Sequence, residues 1–467
     1  MKGIAEKALR YGEKKADYFE VRAEKTAITL NFMKNGVLSA STERVDSGIA
    51  MRALLRGGMA GIYTNSTEWD EVKEAVDKVI EMAEKASEIS DVKLSEERTY
   101  RDYWTVEQKR KIEDVDNSEK ISWLSEIENR LKEETRAVAR IQVLRDSLKE
   151  KHILTSEGTE ISSFLPSIEY MYFIIVANEK GSEQAYNQLA WTGGYDRWDE
   201  WDPEGRVVDM AKILERSINE GKTLKSGKMD LIVGPEVTGI ASHESCGHPS
   251  EADRIMGREG YLAGESFIKP EMIGERIGSE IVNVVDDPTV PNSFGYYKYD
   301  DEGVPARRRY LYKNGVINEF LHNRETAAVL GTKSNGAARA SGWDREPIVR
   351  MSTTFVEPGD YEVEELFEDV KYGVYMKSFT EWNIDDVRYN QKYTGREAYL
   401  IENGEIKGPV RRPIIELTTK TFWSSVDAIA KDLEFVGATC GKSDPEQGVD
   451  VWTGGPHMRL RDVYMRW

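Results

Sequence analysis

A chain of 467 residues, 39% hydrophobic and 31% charged, is too long for one ordinary core and too apolar for disorder, so two domains are expected. The formal charge of −19 argues against nucleic acid or an anionic membrane as partner, because both are gripped by a basic face. No run approaches the roughly 18 apolar residues of a membrane span, no secretory signal opens the chain, and Cys246 and Cys440 alone make no disulfide framework, so the cytoplasm is the expected compartment.

The N-terminal part reads as helix, paired strands, then helix. Residues 16–24 and 27–33 are short alternating runs, and Asn35-Gly36 before residues 37–42 is a hairpin turn. Residues 46–63 continue the sheet, with Gly57-Gly58 as a turn. Trp69, Val72, Val76, Val79, Ala83 and Ala86 recur every three or four residues, the stripe of an amphipathic helix, and Thr67 with Asp70 predicts a capping box at its start. A second helix is expected over about 118–134, with Ile121, Leu124, Ile127 and Leu131 on one side. From 138 to 191, β-rich runs joined at Ser156-Glu157-Gly158 and Glu179-Lys180-Gly181 predict antiparallel strands, and a helix follows at about 205–220.

The small, polar stretch 221–227 marks the expected domain boundary, giving an N-terminal α+β domain over 1–222 and a β-rich domain over 228–467. In the second, 229–233 reads as a buried strand, and Gly234-Pro235 opens a helix that carries residues to about 248. Asn314-Gly315 and Asn403-Gly404 predict hairpin turns, and 423–432 reads as a helix leading into a loop with Cys440. The expected fold class is α+β: helices with small antiparallel sheets, then a mostly antiparallel sheet or barrel with a helix bearing the motif below.

That motif is His243-Glu244-Ser-Cys246-Gly247-His248, followed by Glu251 and Asp253, in a chain with five histidines. In the common HExxH zinc-peptidase spacing, ligands four apart lie about 40° apart round a helix. Here they are five apart, about 140° on a regular α-helix, so the rings converge only through a wider turn or a helix that ends at His248. Gly247 loosens the backbone and Pro249 disfavours α geometry at His248, which supplies that possibility.

A catalytic zinc site usually has three protein ligands and a water. Cys440, Cys246, Glu251 and Asp253 are candidates for the third, and helix geometry does not choose between the cysteines. Small neighbours and Lys442 suit Cys440 to reach an ion as a thiolate, and a His/His/Cys set favours zinc over magnesium or calcium. Glu244 is then the general base of metal-assisted hydrolysis, and Glu251 or Asp253 could orient a ligand ring. The plainer reading is a helix with ordinary hydrogen-bonded histidines and a buried inert thiol.

At these residues the chain resembles the TldD/PmbA family of metalloproteases, on its TldD-type, metal-carrying branch. The HExxxH-x-x-E-x-D run matches His243, Glu244, His248, Glu251 and Asp253, and the late Cys-Gly-Lys matches Cys440 to Lys442. Further matching stretches are 16–22, 47–62, 300–308, 350–360, 398–406 and Gly455-Pro456, so the likeness spans nearly the whole chain. The resemblance implies Zn2+ held by His243, His248 and Cys440, with Glu244 as base. It also implies cleavage of unstructured peptides or small unfolded proteins held extended, and a dimer with a metal-free PmbA/TldE-type subunit or with itself. The competing function is a non-catalytic scaffold or regulatory subunit of a peptidase complex, which would lack the motif. A thiol enzyme using Cys246 or Cys440 ranks last.

Overall fold

The computed structural model describes residues 1–258, 265–443 and 446–467, the side chain of Ser443 excepted. The chain is α+β, as its patterning implies. The runs 16–24 and 27–33 are one strand, Tyr18–Lys34, paired antiparallel along its length with Val37–Leu55 on one side and Ala137–Thr155 on the other. Polar Lys25 and Thr26 break the alternation in sequence, yet each has a ladder partner on both sides. With Glu160–Asn178, Gly181–Thr192, Gly58–Thr64 and the parallel-paired Arg101–Thr105, the described residues form one 7-stranded sheet, larger than the short runs suggest.

Asn35 (φ 49°) and Gly36 (φ 79°) make the expected hairpin turn. The next turn sits one residue earlier than Gly57-Gly58, on Arg56 and Gly57 with φ of 52° and 83°. Gly58 begins the following strand, and a Cβ there would lie 2.0 Å from the Ala83 carbonyl oxygen, so glycine is needed for close helix–strand approach. That helix, Trp69–Ala86, buries Val72, Val76, Val79 and Ala83. Its expected capping box does not form: Glu68 is the N-cap, and no side chain caps the helix. The hydroxyls of Thr64 and Ser66 accept from the amides of Ser66 and Glu68 instead, a local turn that competes with the cap. Helices Asn117–Glu134 and Pro203–Glu220 lie where their periodicity puts them.

After residue 222 the described strands form a 9-stranded and a 6-stranded sheet plus a short pair. Gly227–Val233 lies between Tyr372–Met376, parallel, and Met458–Arg466, antiparallel. The hairpins at Asn314-Gly315 and Asn403-Gly404 form with positive φ at all four residues. The helix expected over 423–432 does not form. Thr418 caps a short helix, Thr419–Ser424, and Val426–Ile429 then pairs with Met458–Arg466, so β pairing overrides helical periodicity. Cys440 consequently lies on a strand, Glu434–Ser443, not in a loop. That strand ends the 6-stranded sheet, paired only with Glu446–Gly455 among the described residues. Val233, Val237, Ile240, Ala241, Met351 and Cys440 share one buried core, so the motif helix enters the site from apolar packing.

Candidate metal centre

Pro235 opens the motif helix at its first turn, where its missing N–H costs nothing, and the α-helix ends at Ser242. His243–Gly247 is a single π turn, closed by the His248 N–H donating to the His243 carbonyl five residues back. This is the wider turn that HExxxH spacing requires. It sets the two imidazoles 5.0 Å apart between centroids, with planes at 80°. A 3₁₀ turn, His248–Ser250, then ends the motif and leaves Glu251 extended. Gly247 admits the Met351 side chain: a Cβ there would lie 1.9 Å from Met351 Sδ.

Cys440 Sγ lies 3.3 Å from His243 Nε2 and 3.5 Å from His248 Nε2. The three donor atoms all fall within 4.8 Å of one another. His243, His248 and Cys440 are only 4%, 3% and 5% exposed. Tetrahedral zinc, with bonds of about 2.3 Å to sulfur and 2.0–2.1 Å to nitrogen, places N and S about 3.6 Å apart, so the donor set fits such an ion. Burial opposes charge on Cys440 and His243, but electrostatics prevails at both. The imidazoles of His248 and His243 and the Arg350 guanidinium hold the Cys440 thiol well below its ordinary range. Burial disfavours a protonated His243, yet the adjacent Cys440 thiolate keeps its pKa above the usual value.

Around this trio, Glu251 Oε2 lies 3.0 Å from His248 Nδ1. Burial resists ionisation of Glu251, but Lys442, His248 and Arg254 hold its carboxyl well below the usual range. Asp253 touches no ligand ring; it takes Lys442 Nζ at 2.7 and 2.8 Å. Lys442, which sequence assigns to the thiolate, thus spends its charge on Asp253 and Glu251, and Arg350 is the cation that acts on Cys440. Cys246 lies in the apolar core beside Ser245 and Tyr312, outside the trio, and burial pushes its thiol well up. Because ligand imidazoles are oriented through their second nitrogen, Glu251→Gln should weaken metal binding by about 10–100-fold, measured by competition against a chromophoric chelator.

Glu244 is 7% exposed and directs Oε2 at Arg388 Nη1, 2.7 Å away. Sequence reasoning misses Arg388. It lies 144 residues from Glu244 in the chain, and nothing in its neighbourhood, Asp385 to Asn390, repeats a known spacing.

Family models described as PmbA/TldA metallopeptidase domain 1, central domain and C-terminal domain match residues 19–85, 110–219 and 226–466. A metalloprotease of Methanocaldococcus jannaschii is 33% identical over 460 residues, covering 97% of both chains. A zinc metalloprotease TldD homolog of Saccharolobus solfataricus is 35% identical over 258 residues, 54% of this chain and 55% of its own. Among solved structures, TldE from Thermococcus kodakarensis superposes with a TM-score of 0.77 at 21% identity, covering 99% of this chain and 100% of that one, a likeness of fold. Matched by three family models over most of its length, the chain belongs to the PmbA/TldD family of metallopeptidases.

Proposed function

We propose that this protein is a zinc-dependent peptidase that hydrolyses unstructured peptides or small unfolded proteins, with His243, His248 and Cys440 as metal ligands and Glu244 as general base. The observation that carries this reading is the meeting of two Nε2 atoms and one Sγ within 4.8 Å, with Glu244 beside them on the same π turn. The soft sulfur donor and two imidazoles select a borderline transition ion over magnesium or calcium. A zinc ion held there would supply Lewis acidity toward a water and the scissile carbonyl. Glu244 takes the proton of the attacking water and passes it to the leaving amine. Glu251 fixes the ring of His248, and Asp253 acts on it only through Lys442.

The strand bearing Cys440 has a free edge among the described residues, which suits an extended peptide added as a further strand. Main-chain bonding of that kind asks for an unfolded substrate and little sequence preference. The protein is read as cytoplasmic, with two units over 1–222 and 228–467. Its helices include none long and apolar enough to cross a membrane, among the described residues. The likeness to TldE supports a dimer with a metal-free TldE-type subunit or with a second copy. A purely scaffolding role is the weaker reading, because an inactive subunit would lack the HExxxH motif that this chain keeps.

Hydrolysis of denatured casein tests the reading. The expected result is cleavage by zinc-loaded protein, with its partner subunit if one co-purifies, lost on chelation and restored by zinc. Activity that survives chelation and dies on cysteine alkylation would instead assign the chemistry to a thiol nucleophile.

A further inference from the structure

Arg388 occupies a turn between strands Phe379–Ile384 and Asn390–Gly395. Its backbone sits at φ +67°, the left-handed region that a branched or long side chain seldom adopts. The surroundings impose this conformation. The Phe267 amide donates to the Val387 carbonyl at 2.8 Å, Thr419 Oγ1 to the Arg388 carbonyl at 3.0 Å, and the Thr419 amide to the Tyr389 carbonyl at 2.7 Å. Asp385 Oδ1 takes the Tyr389 amide at 2.6 Å. A turn so tied down, in a conformation that costs free energy, points to a side chain whose aim matters.

That aim is into the metal centre. Nη1 donates to Glu244 Oε2 at 2.7 Å, and this is the side chain's one hydrogen bond among the described residues. Nε is buried, with no hydrogen-bond partner among the described residues. Buried charged donors are normally satisfied, because an unmet one forfeits its hydration without return. On the strand that follows, Gln391 is 2% exposed and its Nε2 likewise has no partner among the described residues, while its Oε1 accepts from the Tyr393 hydroxyl at 2.6 Å. Two orphaned donors thus lie on the same hairpin, one of them on the guanidinium that grips the proposed base. The Arg388 side chain is 16% exposed, so it keeps a face that a ligand can reach.

We propose that Arg388 is a catalytic residue of the peptidase: its Nη1 holds Glu244, and its Nη2, which has no hydrogen bond among the described residues, binds the scissile carbonyl oxygen. This rests on the hydrolytic reading above. The base and the attacked carbonyl must lie on either side of one water, so a cation fastened to the base lies within reach of that carbonyl. As the water oxygen bonds to the carbonyl carbon, the carbonyl π pair moves onto oxygen, and the water proton passes to Glu244. The oxygen gains charge, and a fixed N–H donor strengthens its hold as it does so. Arginine suits this double duty because its planar fork serves two oxygens at once.

The test compares wild type with Arg388→Lys and Arg388→Gln, holding zinc content and melting temperature as controls for folding. Loss of one such donor should lower kcat by about 100-fold or more with KM little changed, and lysine should restore part of the loss. Affinity for a phosphinic peptide analogue, a tetrahedral mimic, should fall in parallel with kcat, read by calorimetry without turnover. Unchanged kcat and analogue affinity in the variants of an active wild type would overturn this assignment alone. So would a loss confined to KM, or one explained by lost zinc. Inactivity of the wild type under zinc would overturn the hydrolytic reading and this inference with it.

Discussion

Glu244→Gln should abolish most peptide hydrolysis, lowering kcat by about 10²–10⁴-fold, while the protein keeps its metal. The two halves of this expectation come from different contacts. Glu244 is not one of the three converging donors, which are His243, His248 and Cys440. Its carboxylate faces Arg388, so an amide of the same shape can keep that contact while losing the capacity to take a proton. Metal content by atomic spectroscopy and kcat on one peptide check both halves. A variant with undiminished kcat would remove Glu244 from the chemistry, and one without metal would make it a ligand.

Cys440→Ala should have the other large effect: loss of metal, and with it loss of activity. Structural zinc sites bind with about 10–16 kcal/mol over four ligands, or about 2.5–4 kcal/mol for each, so one lost ligand weakens binding by roughly 70-fold or more. Wild type should melt at a higher temperature when zinc is added, because the ion binds the folded chain, and the variant should not. Cys246→Ala is the internal control. That thiol is buried in the core away from the trio, so its removal should leave zinc binding intact. Retention of zinc by Cys440→Ala, with loss in Cys246→Ala, would reverse the roles of the two sulfurs.

What could be read in advance follows from how local each signal is. The amphipathic stripe of Trp69–Ala86 and the Asn-Gly turns are set by neighbours a few residues apart, and their elements form as read. The HExxxH spacing demanded a turn wider than α, and the π turn His243–Gly247 provides it. Distant pairing was not legible. Val426–Ile429 looked helical until its partner, Met458–Arg466, is in place, and the seventeen residues of Tyr18–Lys34 cohere only through ladders on both sides. The same holds at the metal centre. Geometry on one helix could not choose between Cys246 and Cys440, because the meeting of His243 with Cys440 closes 197 residues of chain. Arg388 carried no sequence signal, since only a contact across 144 residues brings it to Glu244.

X-ray absorption at the zinc edge of the loaded wild-type protein addresses the donor set directly. The coordination shell should contain one sulfur at about 2.3 Å and two nitrogens at about 2.0–2.1 Å. A wild-type shell of oxygen and nitrogen alone would place the ion elsewhere and contradict the assignment.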